Sequence, residues 1–213
     1  MSPAAGSGAT LSRLDDSTRS LVRLSAVLAA GTEDEVRAEL QRAAQTTSPE
    51  WIEELLLQTY LFVGFPRALN GMREWRRLTP SPASRQDGVT DPRRLEELGE
   101  QTCARVYGSM YDRLRHNIRD LHPQLDEWMI LEGYGKVLSR PGLDLPRREL
   151  CIVAVCAATA QDRQLQSHLH GARNVGVAEP VVSEALASLS GLVPALQLAR
   201  ATRIWDRIRN DVH

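Results

Sequence analysis

The sequence predicts an all-α protein built from two tandem copies of one helical unit, packed as a pseudo-dimer. Two observations carry that prediction. Apolar residues recur at helical spacing along nearly the whole chain, and no alternating run reads as a strand. A framework near the start also returns later: Leu14-Asp15 with Arg19 and Leu21 recurs as Leu143-Asp144 with Arg148 and Leu150. Carried forward, that register puts Ser20 where Glu149 stands and Glu39 where His168 stands. The copies therefore differ at the two positions best suited to proton chemistry.

Residues 1–13 are small and uncharged up to Arg13, which reads as a disordered lead-in. They lack the basic and apolar regions of a signal peptide. The first repeat spans 14–78. Leu21, Leu24, Val27 and Leu28 give a helix between Asp15 and Ala30, closed by Gly31. Thr32 with Glu35 forms a capping box for the next helix, whose apolar face is Val36, Leu40 and Ala43. Ser48-Pro49 supplies an N-cap and a proline at the first helical position. That helix runs through Ile52, Leu55 and Leu56 towards Tyr60. Gly64-Phe65-Pro66 breaks it, and Ala68 to Leu78 resumes as a helix.

Residues 79–92, with Pro80, Pro82, Gly88 and Pro92, form a linker. The second, fuller repeat spans 93–213. It opens with an amphipathic helix from Arg93 to Tyr111 and another from Leu125 to Leu138. Ser139-Arg140-Pro141-Gly142 is a tight turn, and Asp144 is the N-cap of the helix after it. Arg148 to Ala160 is apolar almost all round, so it belongs at the centre. Asp162 to Val175 is amphipathic, Glu179-Pro180 opens another helix, and Pro194 to Asn210 is the last. Each unit leaves an apolar face open, and packing the two copies together covers it.

Hydrophobic residues at 42% and charged residues at 25% of 213 positions fit an ordinary globular protein. A net charge of -1 argues against nucleic acid as a partner, because neutralising phosphates takes a basic surplus. No apolar run is long enough for a membrane span. Cys103, Cys151 and Cys156 lack disulfide or zinc spacing, which suits buried, reduced thiols in a cytoplasmic protein. His116, His122 and His213 have no ligand-like spacing, so no metal site is expected.

The run Ser139-Arg140-Pro141-Gly142-Leu143-Asp144, followed by Arg148-Glu149-Leu150, resembles the entry to the core of carboxymuconolactone decarboxylases. The segment Leu56 to Asn70 resembles a second signature of that family, and the Glu149 to His168 spacing is one the family shares. The resemblance covers roughly residues 14–75 and 93–205. It implies the helical fold of alkylhydroperoxidase D-like proteins. It also implies rings of three-fold symmetry built from dimers, so a fused chain is expected to form a homotrimer. The peroxidase branch needs Cys-x-x-Cys ahead of its histidine. Aligned on His168, those positions hold Gln161 and Gln164, which cannot exchange thiols. Gln58 sits where decarboxylases tend to have a histidine.

The implied activity is that of a cofactor-free lyase acting on a small carboxylated lactone or related acid. His168 is the candidate general acid/base and Glu149 its partner. Arg148 or Arg140 is the candidate grip on a substrate carboxylate. Tyr60 and Gln58 are candidate hydrogen-bond donors from the other copy. Each has a plainer alternative. His168, at helical spacing from Leu165, Leu169 and Ala172, also suits a satisfied interface histidine. Arg140 and Arg148 also suit pairing with Asp144 or Glu149, and Tyr60 and Gln58 suit interface polar groups. Two rival functions stay open: a peroxide-linked reductase using one cysteine, and a duplicated scaffold without chemistry.

Overall fold

The computed structural model describes residues 10–80 and 88–211. Most of the expected lead-in, the middle of the linker and His213 lie outside the described residues. Ten α-helices account for most of what is described, and no strand occurs among these residues. The first repeat forms α1 (Asp16–Ala30), α2 (Glu33–Thr46) and α3 (Pro49–Leu78). Its helix starts follow the caps in the sequence. Asp15 accepts from the Thr18 backbone N–H at 2.7 Å, and Thr32 and Glu35 close a capping box. Ser48 caps α3 by accepting from the Trp51 N–H at 3.3 Å. The expected break lies inside α3, where Gly64 takes φ 78 and ψ 167. A residue with a Cβ is strained at such a positive φ, so glycine belongs at this kink.

The second repeat opens with α4 (Pro92–Tyr107), a 3₁₀ turn (Gly108–Met110), α5 (Tyr111–Leu121), α6 (Pro123–Trp128) and a π-helix (Met129–Leu138). The expected single helix from Arg93 to Tyr111 is in fact interrupted. Gly108 adopts φ 53, which ends α4 at Tyr107 and redirects the chain. Asn174 reinforces the break from outside, donating its side-chain amide to the Val106 carbonyl at 2.8 Å. His122 caps α6, its Nδ1 accepting from the Gln124 N–H at 3.1 Å.

The second repeat continues as α7 (Leu145–Ala158), α8 (Asp162–Asn174), α9 (Glu179–Ala187) and α10 (Ala195–Asn210). Asp144 caps α7 by accepting from the Arg147 N–H at 3.0 Å. Every residue from Arg148 to Ala158 is buried, as the all-round apolar pattern requires. Near the chain start, Leu11 bridges Val177, its N–H donating to the Gly176 carbonyl at 2.9 Å. That contact ties residues 10–13, expected to be part of a loose lead-in, to the second repeat.

The repeats pack as reciprocal partners about α1 and α7, which lie against each other. Thr18 and Arg147 stand 129 positions apart, are equivalent in the repeat, and touch, Arg147 Nε donating to Thr18 Oγ1 at 2.9 Å. The same step carries the start of α1 onto that of α7, and the start of α2 onto that of α8. Two cores result, and equivalent residues exchange between them. Leu14 and Val22 lie in the core of the second repeat. Their equivalents Leu143 and Cys151 lie in the core of the first. Such exchange is the mark of a two-fold, self-complementary contact, here made within one chain.

The π-helix packs on α4 at glycine contacts. A Cβ on Gly99 would fall 2.2 Å from the Ile130 carbonyl oxygen, and one on Gly135 would fall 2.2 Å from that of Leu95. Both obstacles are backbone, so the elements must move apart to admit a methyl group. Gly99→Ala is therefore expected to cost about 1–3 kcal/mol, the usual range for overpacking. Urea unfolding reads this directly, and an unchanged midpoint would show the contact to be looser than described.

Candidate active site

Glu149 sits just past the first turn of α7 and His168 in the middle of α8. The α7–α8 packing brings them together across 19 positions: His168 Nδ1 and Glu149 Oε2 are 2.8 Å apart. Glu149 has no solvent exposure and His168 has 6%. The other carboxylate oxygen, Glu149 Oε1, is buried without a hydrogen-bond partner among the described residues. Gln197 Oε1 is placed the same way among the described residues. The Nε2 of His168 also has no partner among these residues, yet it is not sealed off as Glu149 Oε1 is. The imidazole is thus held from behind by a carboxylate and free at its outer nitrogen.

Aromatic rings edge this imidazole. Phe62, from the segment of α3 just before the kink, meets it edge-on with ring centres 6.1 Å apart. Tyr107, the last residue of α4, lies at 6.5 Å, and Tyr134 of the π-helix meets Tyr107 at 6.2 Å. Burial pushes both phenols well above their usual range, so they stay neutral. The site is therefore composite: the acid–imidazole pair comes from α7 and α8, one wall from α3 of the first repeat, and another wall from α4 and the π-helix.

Gly171 makes room for the carboxylate. A Cβ there would lie 2.6 Å from Glu149 Oε2 and 2.7 Å from Val106 Cγ1. Gly171 is not among the residues singled out from the sequence, although it carries a signal there. A glycine inside a helix costs about 1 kcal/mol relative to alanine, and Gly171 stands one turn beyond His168 on the same face. Tyr107 has no comparable signal, because its position follows from the unexpected break at Gly108.

The two candidate clamp arginines are occupied elsewhere. Arg148 has no solvent exposure. Its guanidinium donates to Glu54 Oε2 at 2.8 Å, Gln58 Oε1 at 3.1 Å, and the carbonyls of Leu143 at 2.9 Å and Arg140 at 3.2 Å. Arg140 donates to both oxygens of the same Glu54, at 2.7 and 2.9 Å. The expected partners were Asp144 or Glu149; the actual partner is Glu54, on α3 of the other repeat. Both guanidinium groups are thus engaged by Glu54. Gln58 belongs to the same cluster, its amide donating to the Arg148 carbonyl at 3.1 Å. Tyr60 donates to Glu132 Oε2 at 3.2 Å and stacks on Phe65 at 4.9 Å. Burial, helped by Glu132, pushes the Tyr60 phenol up to about 12.

The equivalent location in the first repeat has been rebuilt. Glu39, in the place of His168, is buried and pairs with Arg23 at 2.8 Å and with Arg42. Ser20, in the place of Glu149, hydrogen-bonds Thr46 at 2.9 Å. The three cysteines are buried, and burial pushes each thiol up to about 12. A thiol so held is a poor source of the thiolate that peroxide chemistry needs. Among the described residues no group of histidine, cysteine and acidic side chains could hold a metal ion, and no helix is long and apolar enough to cross a membrane.

The paired architecture agrees with comparison to known proteins. The model of the carboxymuconolactone decarboxylase family matches residues 4–77 and 123–204, more than half of the chain. The chain belongs to the carboxymuconolactone decarboxylase family. It is 29% identical over 140 residues to "Peroxisomal protein 2" of Schizosaccharomyces pombe, covering 63% of this chain and 64% of that protein. It therefore spans just under two thirds of that relative's length. It is 30% identical over 108 residues to the 4-carboxymuconolactone decarboxylase of Acinetobacter baylyi, covering 50% of this chain and 75% of that enzyme.

Burial pushes the Glu54 carboxyl up, but the hydrogen bonds from Arg140 and Arg148 outweigh it and hold it below the usual glutamate range. A depressed acid contributes stability that is complete above its unfolded-state pKa and lost as pH falls through the folded one. Glu54→Gln leaves Arg148 buried without its counter-charge, which costs about 3–5 kcal/mol at neutral pH. The deficit should shrink towards acid, where the natural chain loses the same pair. Denaturant melts at several pH values test this, and equal stability at neutral pH would discard the cluster as a stabilising element.

Proposed function

We propose that the chain is a cofactor-free lyase that removes CO₂ from a small carboxylated lactone or a related acid. The observation that carries this reading is the buried Glu149–His168 hydrogen bond at 2.8 Å, with the outer imidazole nitrogen left without a protein partner. The Acinetobacter baylyi relative is named for 4-carboxymuconolactone, which supports that substrate class. In the reaction the bond between carbon and carboxylate breaks, and its electron pair passes into the lactone as a dienolate. His168 Nε2 then gives a proton to carbon, while Glu149 fixes the ring through Nδ1. Solvent returns the proton to the imidazole. Arg148 and Arg140 take no part in binding here, because Glu54 engages both. Gln58 and Tyr60 act as supports of the wall that carries Phe62. The buried, unreactive thiols argue against the peroxide-linked alternative. Three reduced cysteines also suit a cytoplasmic setting.

His168→Ala is expected to lower kcat on 4-carboxymuconolactone by about a hundredfold or more, the scale of a lost general acid. Circular dichroism should report the same helix content. Undiminished turnover in a folded variant would remove the reading. We further propose that the fused pair assembles as a homotrimer, supported by Leu57, Phe65 and Leu69 standing 40%, 63% and 59% exposed on α3. Light scattering gives the mass directly, and a monomer at working concentration would overturn the assembly.

A further inference from the structure

The break at Gly108 opens a cleft that plays no part in the chemistry above. It lies between the α4–α5 corner and α8, with a volume of about 540 Å³, inside the range typical of small-ligand sites. Tyr107, Met110 and Leu114 give it apolar walls, and Met110 is 48% exposed. Its charged lining is of one sign. Arg113 comes from α5 and Arg163 from the first turn of α8, and no carboxylate lines the cleft among the described residues. Neither guanidinium has an ion pair or hydrogen bond among those residues. Arg163 also borders the neighbouring cleft between α8 and α10, where Asp162 and Asp206 stand among the arginines, whereas Arg113 faces this cleft alone. Asn117 adds a polar group at the cleft wall.

We infer that this cleft binds a small organic carboxylate with an apolar or aromatic body, its anionic end held by Arg113 and Arg163. Guanidinium forks match the planar carboxylate and make the stronger, charge-assisted class of hydrogen bond. The apolar body lies against Met110, Leu114 and the Tyr107 ring. Tyr107 also edges His168, so it separates the cleft from the acid–imidazole pair, and His168 itself does not line the cleft. Binding here stands independently of the lyase reading.

The test is a fluorine NMR titration of the full chain with a fluorinated benzoate, set against the matching fluorinated benzyl alcohol. The benzoate should bind saturably and more tightly than the alcohol. Arg113→Gln combined with Arg163→Gln should weaken it at least about tenfold, which corresponds to about 1.4 kcal/mol. Arg93→Gln, elsewhere on the surface, should leave binding unchanged and controls for general loss of charge. His168→Ala should also bind the benzoate normally. Four results would each overturn the inference: no saturable binding, equal affinity for the alcohol, unchanged affinity in the double variant, or loss of binding in His168→Ala. The last would place the probe at the Glu149 pair instead.

Discussion

Arg148 has no contact with solvent, and a buried guanidinium persists only where its charge and its donors are met. Here Glu54 supplies the charge, while Gln58 and two backbone carbonyls complete the bonding. Because Glu54 and Gln58 belong to α3 of the first repeat and Arg148 to α7 of the second, the cluster locks the repeats together. Glu149 is the next residue along α7, so its direction is fixed by the same lock. Its neighbour Arg147 does parallel work at the surface, pairing with Asp15 at 2.8 Å and with Asp144 at 2.5 Å, the N-cap residues of α1 and α7. Two consecutive arginines thus set the register of the repeats, and the third residue of the run, Glu149, meets His168.

Much of this was legible in the sequence wherever the cause is local. The caps at Thr32, Ser48 and Asp144 satisfy backbone donors within three residues, and each reads directly from residue type. The kink at Gly64 is marked by a glycine followed closely by proline. The juxtaposition of Glu149 and His168 was also legible, because the repeat exposed where the copies differ. Less legible were features whose cause is distant. Arg148 meets Glu54 across 94 positions, and nothing in its own neighbourhood distinguishes a partner on α3 from Asp144 close by. The end of α4 was missed for a related reason. Apolar spacing continues through Gly108 into Tyr111 and Leu114, and the positive φ that breaks the helix is backed by Asn174 from another element. The identity of α5 went with it, since a helix without buried residues leaves a weak pattern.

The asymmetry between the repeats has a consistent physical form. In the second, a buried acid holds an imidazole, and one oxygen is left unsatisfied. In the first, the equivalent pocket contains Glu39 bound by Arg23 and Arg42, an arrangement with its charge met on both sides. One half tolerates an uncompensated polar atom and the other has been brought to electrostatic rest. The wall facing His168 comes from the resting half, through Phe62.

The constant step between equivalent residues has a bearing on how such a molecule changes over generations. In a dimer of identical subunits every substitution is written twice, so a residue that suits a wall must also suit a centre. Joining the subunits end to end removes that obligation. Ser20 and Glu149 can then differ, as can Glu39 and His168, each answering to a single environment. Linear fusion has given this chain the freedom of a heterodimer while guaranteeing that its two unlike halves are always made in equal number.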